Sequence, residues 1–455
     1  MSFVSAASFL SRERSVAPAG YDRWLVPPAA LAIHLAIGQA YSFSVFNLPI
    51  SRVLGVSKPA AGDWPLTTTV WIFNIAFAVL GLSAALFGTW LERVGPRRAM
   101  FTAALCFCGG LEVAAIGVHL HAIAIVYLGY GVLGGVGLGL GYISPVSTLI
   151  KWFPDRPGMA TGLAIMGFGG GALIGAPLAT TLMDHFKTAH SVGVAETFAT
   201  MGALYFALML FGAFTVRVPP PDWAPATASG AKTAAPVKVA GPPVAANEAI
   251  KTPQFWLLWA VLFLNVTAGI GVLSQASPMI QEVFPVRITA SAAAGFVGLL
   301  SIFNLLGRFI WSSLSDTIGR QRTYMIYFAL GALLYVSVPT AARLGSVVLF
   351  VACFTIILSM YGGGFATIPA YLRDLFGVYQ VGAIHGRLLT AWSAAAIAGP
   401  SLVTYVREWQ IRHGESKAHV YNVTMYLMAS LLIIGFICNA AVRPVDAKHH
   451  HEPRH

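Results

Sequence analysis

Residues 88–98 read GTWLERVGPRR, and residues 312–322 read SSLSDTIGRQR. Each stretch follows an apolar run of membrane-crossing length. Each sets an acidic side chain, a glycine and an arginine at the same spacing. Glu92 matches Asp316, Gly95 matches Gly319 and Arg98 matches Arg322, always 224 residues apart. The same interval carries Gly139 to Gly363 and Pro145 to Pro369. One interval that serves two separate regions marks a duplicated unit of six helices.

Composition fixes the solvent. The chain is 57% hydrophobic and 10% charged, with mean hydropathy +0.72, whereas a soluble domain carries about 25% charged residues. Apolar windows predict twelve spans near 24–46, 67–88, 99–118, 122–149, 159–182, 196–216, 254–274, 291–314, 323–341, 346–368, 388–406 and 420–442. The expected fold class is an all-α membrane protein, with the spans in two pseudo-symmetric six-helix bundles. The expected domains are a tail over 1–23, bundles over 24–216 and 254–442, a linker over 217–253 and a tail over 443–455. The linker is rich in Pro, Ala and Lys, a composition of flexible connectors. Arg12 and Arg14 precede the first apolar run, but the run is too long for a signal peptide's apolar core and reads as a retained span.

Counting Lys and Arg puts 19 on the side of the two acidic loops and 8 on the other, which predicts both termini in the cytoplasm of a cell inner (plasma) membrane. The net charge of +11 is spread among these loops and does not indicate nucleic acid. Cys106, Cys108, Cys353 and Cys438 all lie in apolar segments and predict neither a disulfide nor a metal site. The histidines at 449–451 read as a solvated tail. The Gly-rich stretches 134–141 and 167–175 follow no strand and lack the Lys-Ser/Thr of a phosphate loop, so they read as close helix packing. No cofactor is expected.

The remaining cation, Arg308, falls inside residues 291–314. A guanidinium at that depth costs about 3 kcal/mol on insertion scales. Ser301, Asn304, Arg308, Ser312 and Ser315 recur at helical spacing and form one polar stripe on an otherwise apolar helix. Such a stripe faces a cavity rather than lipid, and a guanidinium grips a carboxylate through two parallel hydrogen bonds. The other reading is a structural ion pair with Glu112, the acidic residue at similar depth.

The acidic-x-x-Gly-x-x-Arg loops resemble the signature loops of the major facilitator superfamily. A finer resemblance runs through GQAYSFSVF (38–46), GLGLGYISP (137–145), KWFPDRPGMATG (151–162), TPQFWLLW (252–259), GRFIWSSLSDTIGR (307–320), YGGGFATIPAYLRDLFG (361–377) and LLTAWSAAAIAGP (388–400). These look like the oxalate/formate antiporter branch, close to the monocarboxylate transporters. The resemblance implies alternating-access transport of small organic anions, as exchange or proton symport, with oxalate–formate exchange proper as the alternative. It also implies a substrate-binding arginine two turns before the acidic loop residue, the spacing of Arg308 and Asp316. It departs where Trp392 stands at the position of an eleventh-helix lysine. A single fixed cation suits a monocarboxylate better than a dianion.

Beside Arg308 and Asn304, the candidate substrate contacts are Tyr142, Tyr361, Trp392 and Gln39, each of which either lines the path or packs between helices. Gln275 is open to the same two readings. Glu112 and His34 are candidates for proton coupling. A carboxyl in an apolar setting holds a proton readily, and histidine changes charge near neutral pH; helix–helix contact is the other reading for both. Glu92, Arg93, Arg98, Asp316, Arg320 and Arg322 are candidates for a latch between the halves, against a plain solvated turn. An enzyme would cluster acid, base or nucleophile at one level, and a sensor would carry an output domain. The spans carry one Arg, one Glu and one His on separate helices, so a carrier of a small organic anion, expected to be monomeric in the lipid bilayer, is the leading expectation, with a transporter-like sensor as the other class.

Overall fold

The computed structural model describes residues 9–56, 60–221, 223, 241–417 and 419–450; most of the expected linker lies outside the described residues. Twelve spans follow one another: α1 Val26–Ile37, α2 Leu66–Val94, α3 Pro96–His119, α4 Ile123–Trp152, α5 Pro157–Phe186, α6 Val194–Thr215, α7 Pro253–Val283, α8 Ala290–Ile318, α9 Arg320–Arg343, α10 Val347–Phe376, α11 Val381–Arg412 and α12 Asn422–Ala440. Among the described residues, α2 to α12 are long and apolar enough to cross a membrane, and the β contacts are isolated bridges, Val16 with Val218 and Val244 with His450. The first span differs from expectation. Its α-helix stops at Ile37 and continues as 3-10 turns over Gly38–Phe46. The tighter winding rotates every later side chain of that span by about 20° per residue relative to an α-helix.

The duplicated loops are single-residue turns. Gly95 separates α2 from α3 at φ 84°, and Gly319 separates α8 from α9 at φ 93°. Only glycine adopts that backbone readily, so both halves keep it. The turns share one face of the molecule with both described chain ends. Arg12 donates to the Glu92 carbonyl at 3.2 Å, and Val244 bridges to His450. We refer to this as the linker face.

The halves meet along two equivalent seams, α5 on α8 and α11 on α2. Glycines let the backbones touch. A Cβ on Gly162 would lie 2.8 Å from the Arg308 carbonyl oxygen, and one on Gly386 would lie 2.7 Å from the Ala84 carbonyl carbon. Gly158 sits against Asp316 and Gly382 against Glu92. All four correspondences keep the interval of 224. In lipid, where apolar burial drives helix association weakly, such small-residue contact is what brings helices together. The opposite face of α8 carries exposed Ile302, Phe303, Leu306, Ile310 and Leu314, which turns its polar stripe inward.

Candidate functional site

Arg308 lies on α8 at the seam with α5 and has no exposed surface. Its Nε donates to Asn304 Oδ1 at 3.3 Å, and Nη1 donates to the Ile165 carbonyl at 3.3 Å. Nη2 makes no hydrogen bond of ordinary geometry among the described residues, although the Tyr41 hydroxyl lies beside the guanidinium. The guanidinium carbon stands 5.8 Å from the Phe168 ring centre and 5.3 Å from that of Phe365, within cation–π range. Among the described residues no carboxylate lies within ion-pair distance of it.

Aromatic groups from both halves close the space around the guanidinium. Trp392 of α11 packs against Tyr41, Phe77, Tyr142, Phe168 and Phe365, with ring centres 4.6–6.2 Å away. Tyr41, Tyr142 and Tyr361 are near enough to Arg308 to feel its charge. The Tyr41 hydroxyl lies within hydrogen-bonding reach of Arg308 and of Tyr361, while the Tyr142 hydroxyl and the Trp392 Nε1 lack hydrogen-bond partners among the described residues. A buried donor left unmade costs about 1–3 kcal/mol, so such donors beside a cation can accommodate an acceptor-rich anion.

The structure brings Arg308, Asn304, Tyr142, Tyr361 and Trp392 together and adds Tyr41, Phe168 and Phe365. It does not open the central cavity expected there, because these groups pack on one another. A cavity of about 430 Å³ lies instead at the linker face, beside Arg12, Glu92, Ser147 and Lys151, and its lining does not reach Arg308. Gln39 turns away from the cluster. Its Oε1 accepts from Tyr130 at 3.4 Å inside the first half. Gln275 donates to Thr404 at 3.4 Å between α7 and α11, a helix–helix contact.

Glu112 corrects two expectations. It is exposed on the outer face of α3, in a stripe with Leu105, Ile116 and Leu120. It therefore neither pairs with Arg308 nor faces the central cluster as a proton-coupling group would. The helix phase places the side chain on the periphery. His34 is buried inside, edge-on to Tyr142 with ring centres 5.4 Å apart.

At the linker face the two acidic residues cross the seams. Asp316 accepts from the backbone N–H groups of Gly158 and Met159, both at 2.9 Å, at the start of α5. Glu92 accepts from the N–H of Gly382 at 3.0 Å, at the start of α11, and from Lys151 at 2.7 Å. Each carboxylate thus meets unpaired N–H groups and the positive end of a helix dipole in the opposite half. Arg320 joins this network through Asp316 at 2.5 Å and Asp374 at 3.1 Å. Arg93, Arg98 and Arg322 are exposed at the surface, so the structure does not draw them into the crossing. Sequence reading overlooked the partners because they are backbone groups; the signal was the interval of 224 that also links Gly158 to Gly382.

Fold and site together define a membrane carrier built of two halves that meet beside the buried Arg308. The profile of the Major Facilitator Superfamily matches residues 19–400, and the chain belongs to that family. It is 27% identical to the uncharacterized MFS-type transporter YhjX of Escherichia coli (strain K12), over 84% of this chain and 88% of that protein. It is also 27% identical to the oxalate:formate antiporter of Oxalobacter formigenes, over 84% of each chain. The apicoplast pyruvate carrier 1 of Toxoplasma gondii is 26% identical over 85% of this chain and 77% of that one. In fold, the outward conformation of the transporter FucP superposes with a TM-score of 0.64 at 13% identity, covering 93% of this chain and all of that one. The chain is a multi-pass membrane transporter, and its named relatives are transporters rather than enzymes.

Proposed function

We propose that the chain is a secondary carrier of small organic carboxylates, with Arg308 as the substrate anchor. The observation that carries this reading is the fully buried Arg308, without a carboxylate partner among the described residues, set among the hydroxyls of Tyr41, Tyr142 and Tyr361 and the Trp392 indole, of which Tyr142 and Trp392 have no hydrogen-bond partner there. A carboxylate supplies the negative charge and the acceptor oxygens that this set lacks. Relatives named for oxalate, formate and pyruvate support the same substrate class. One fixed cation balances a monoanion, so monocarboxylates are the preferred substrates. Transport proceeds by rocking of the halves, 24–216 against 254–442, about the two seams. In this conformation Glu92 and Asp316 hold the linker face shut; with both termini in the cytoplasm of the plasma membrane, that face is the cytoplasmic one.

Counterflow in proteoliposomes loaded with oxalate, formate, lactate, pyruvate or acetate tests the reading. Arg308→Ala abolishes exchange. Arg308→Lys keeps the charge but loses the planar fork, and binding weakens. Normal uptake by correctly inserted Arg308→Ala protein overturns the assignment.

A further inference from the structure

The halves share their packing but not their chemistry. Thr161 on α5 donates its hydroxyl to the Ala366 carbonyl on α10 at 2.7 Å. The positions related to these two by the interval of 224 are His385 on α11 and Tyr142 on α4. There an imidazole meets a phenol, with ring centres 5.8 Å apart. A second imidazole, His34 of α1, meets the same phenol at 5.4 Å. Both histidines are buried, at 0% and 1% exposure. Neither ring nitrogen of His385 has a hydrogen-bond partner among the described residues, whereas the His34 ring lies against the backbone of Ala30 and Tyr142. A buried polar atom without a partner is costly, and His385 carries two. The two rings come from opposite halves and flank one phenol whose hydroxyl is also unpartnered, which places them to share a small positive ligand.

The surroundings decide when such a ligand is tolerated. Around His34 stand Arg308 from α8, Tyr142 from α4, His385 from α11 and, on its own span, Tyr41; α5 offers only Gly167. Tyr361 of α10 lies beyond Tyr41. Towards the linker face, Glu92 of α2 sits against Gly382, one turn from His385, and is held by Lys151. Arg308 is thus the fixed charge of the central cluster.

We propose that His34 and His385 form a proton-binding site shared by the two halves, whose proton accompanies divalent but not monovalent carboxylates. This rests on Arg308 as the anchor. Arg308 and a monocarboxylate cancel, and a proton added beside them would be an uncompensated buried charge. Arg308 and a dicarboxylate leave one negative charge, which a single imidazolium balances. The proton comes from water on the open side, binds one ring nitrogen, and returns to water on the other side with the substrate; no covalent bond to the substrate forms or breaks.

The test uses the full-length chain in proteoliposomes, with oxalate and formate as probes between about pH 5.5 and pH 7.5, the range in which histidine changes charge. The half-saturating concentration of oxalate falls by about tenfold per unit decrease in pH, the linkage slope for one proton per substrate, while that of formate changes by less than about twofold. In His34→Asn/His385→Asn the oxalate slope disappears, with formate exchange as the control for insertion. Should the double variant not insert, His34→Asn and His385→Asn are measured singly, and at least one of them flattens the slope. An unchanged slope in these variants means that the proton rides on oxalate itself, and the proposal fails. An equal slope for formate also overturns it. Formate exchange that survives Arg308→Ala would instead remove the anchor reading on which the proposal rests.

Discussion

Asp316→Asn loosens the linker face without disturbing the anchor. The carboxylate accepts two backbone N–H bonds at 2.9 Å from the start of α5 and one from Arg320 at 2.5 Å, and its side chain is 13% exposed. An amide keeps the shape but has one acceptor oxygen, so at least one N–H bond is lost and an amide hydrogen faces the remaining donors. A hydrogen bond to an ionised acceptor contributes about 1.5–3 kcal/mol, and a charge at a helix terminus about 0.3–1 kcal/mol. The closed conformation is therefore weakened by roughly 2–4 kcal/mol, a shift of roughly 30- to 700-fold in the ratio of closed to open protein. Thr161, buried one turn inside this contact, reports the opening. With Cys106, Cys108, Cys353 and Cys438 replaced by Ala, Thr161→Cys reacts with a membrane-impermeant maleimide added to the linker face. The Asp316→Asn variant labels faster by a factor within that range. Equal labelling rates, in a variant that inserts normally, would refute the role of Asp316 as a latch.

Three further outcomes follow from the same geometry. Gly386→Val drives a side chain against the Ala84 carbonyl group, an overpacking of about 1–3 kcal/mol, and raises labelling of Thr161→Cys at the linker face. Glu112→Gln, on the outer face of α3, leaves transport and its proton dependence within about twofold of the parent, the range of a surface substitution, and liposome uptake checks this. Trp392→Lys places a second cation among groups 4.6–6.2 Å from the present ring. At an effective dielectric near 20 and about 6 Å, that charge attracts a second carboxylate by roughly 3 kcal/mol. Competition of oxalate against formate at fixed pH then shifts towards oxalate, and tight, pH-independent oxalate binding by the parent protein would sink the charge argument.

What the sequence made legible was periodic or repeated. The interval between Glu92 and Asp316 exposed the duplication, and the three- and four-residue steps from Ser301 to Ser315 aimed Arg308 inward. What escaped depended on helix phase and length. Gln39 was open to a path-lining role or a helix–helix contact, and nothing in its own sequence position indicates the Tyr130 hydroxyl that it meets. Glu112 lies on the outer side of α3. His385 lies outside the apolar window that starts at 388, because α11 begins earlier, at Val381. The groups that Asp316 and Glu92 meet at Gly158 and Gly382 are main-chain donors and leave no side-chain signature.

The pattern of divergence between the halves gives these misses a common reason. Positions that hold the backbones together survive in both copies: Gly158 with Gly382, Gly162 with Gly386, Gly95 with Gly319. Positions that face the centre do not. Arg308 stands opposite Ala84, His385 opposite Thr161, and Tyr142 opposite Ala366 across the same interval. Close helix contact requires the same small residue wherever the same seam occurs. A single small anion between the halves requires one guanidinium, and a second at the Ala84 position would leave a buried charge without a partner. The search for a repeat therefore finds the scaffold. The central chemistry is found where the repeat is broken, and those breaks gather around Arg308 and the phenol of Tyr142.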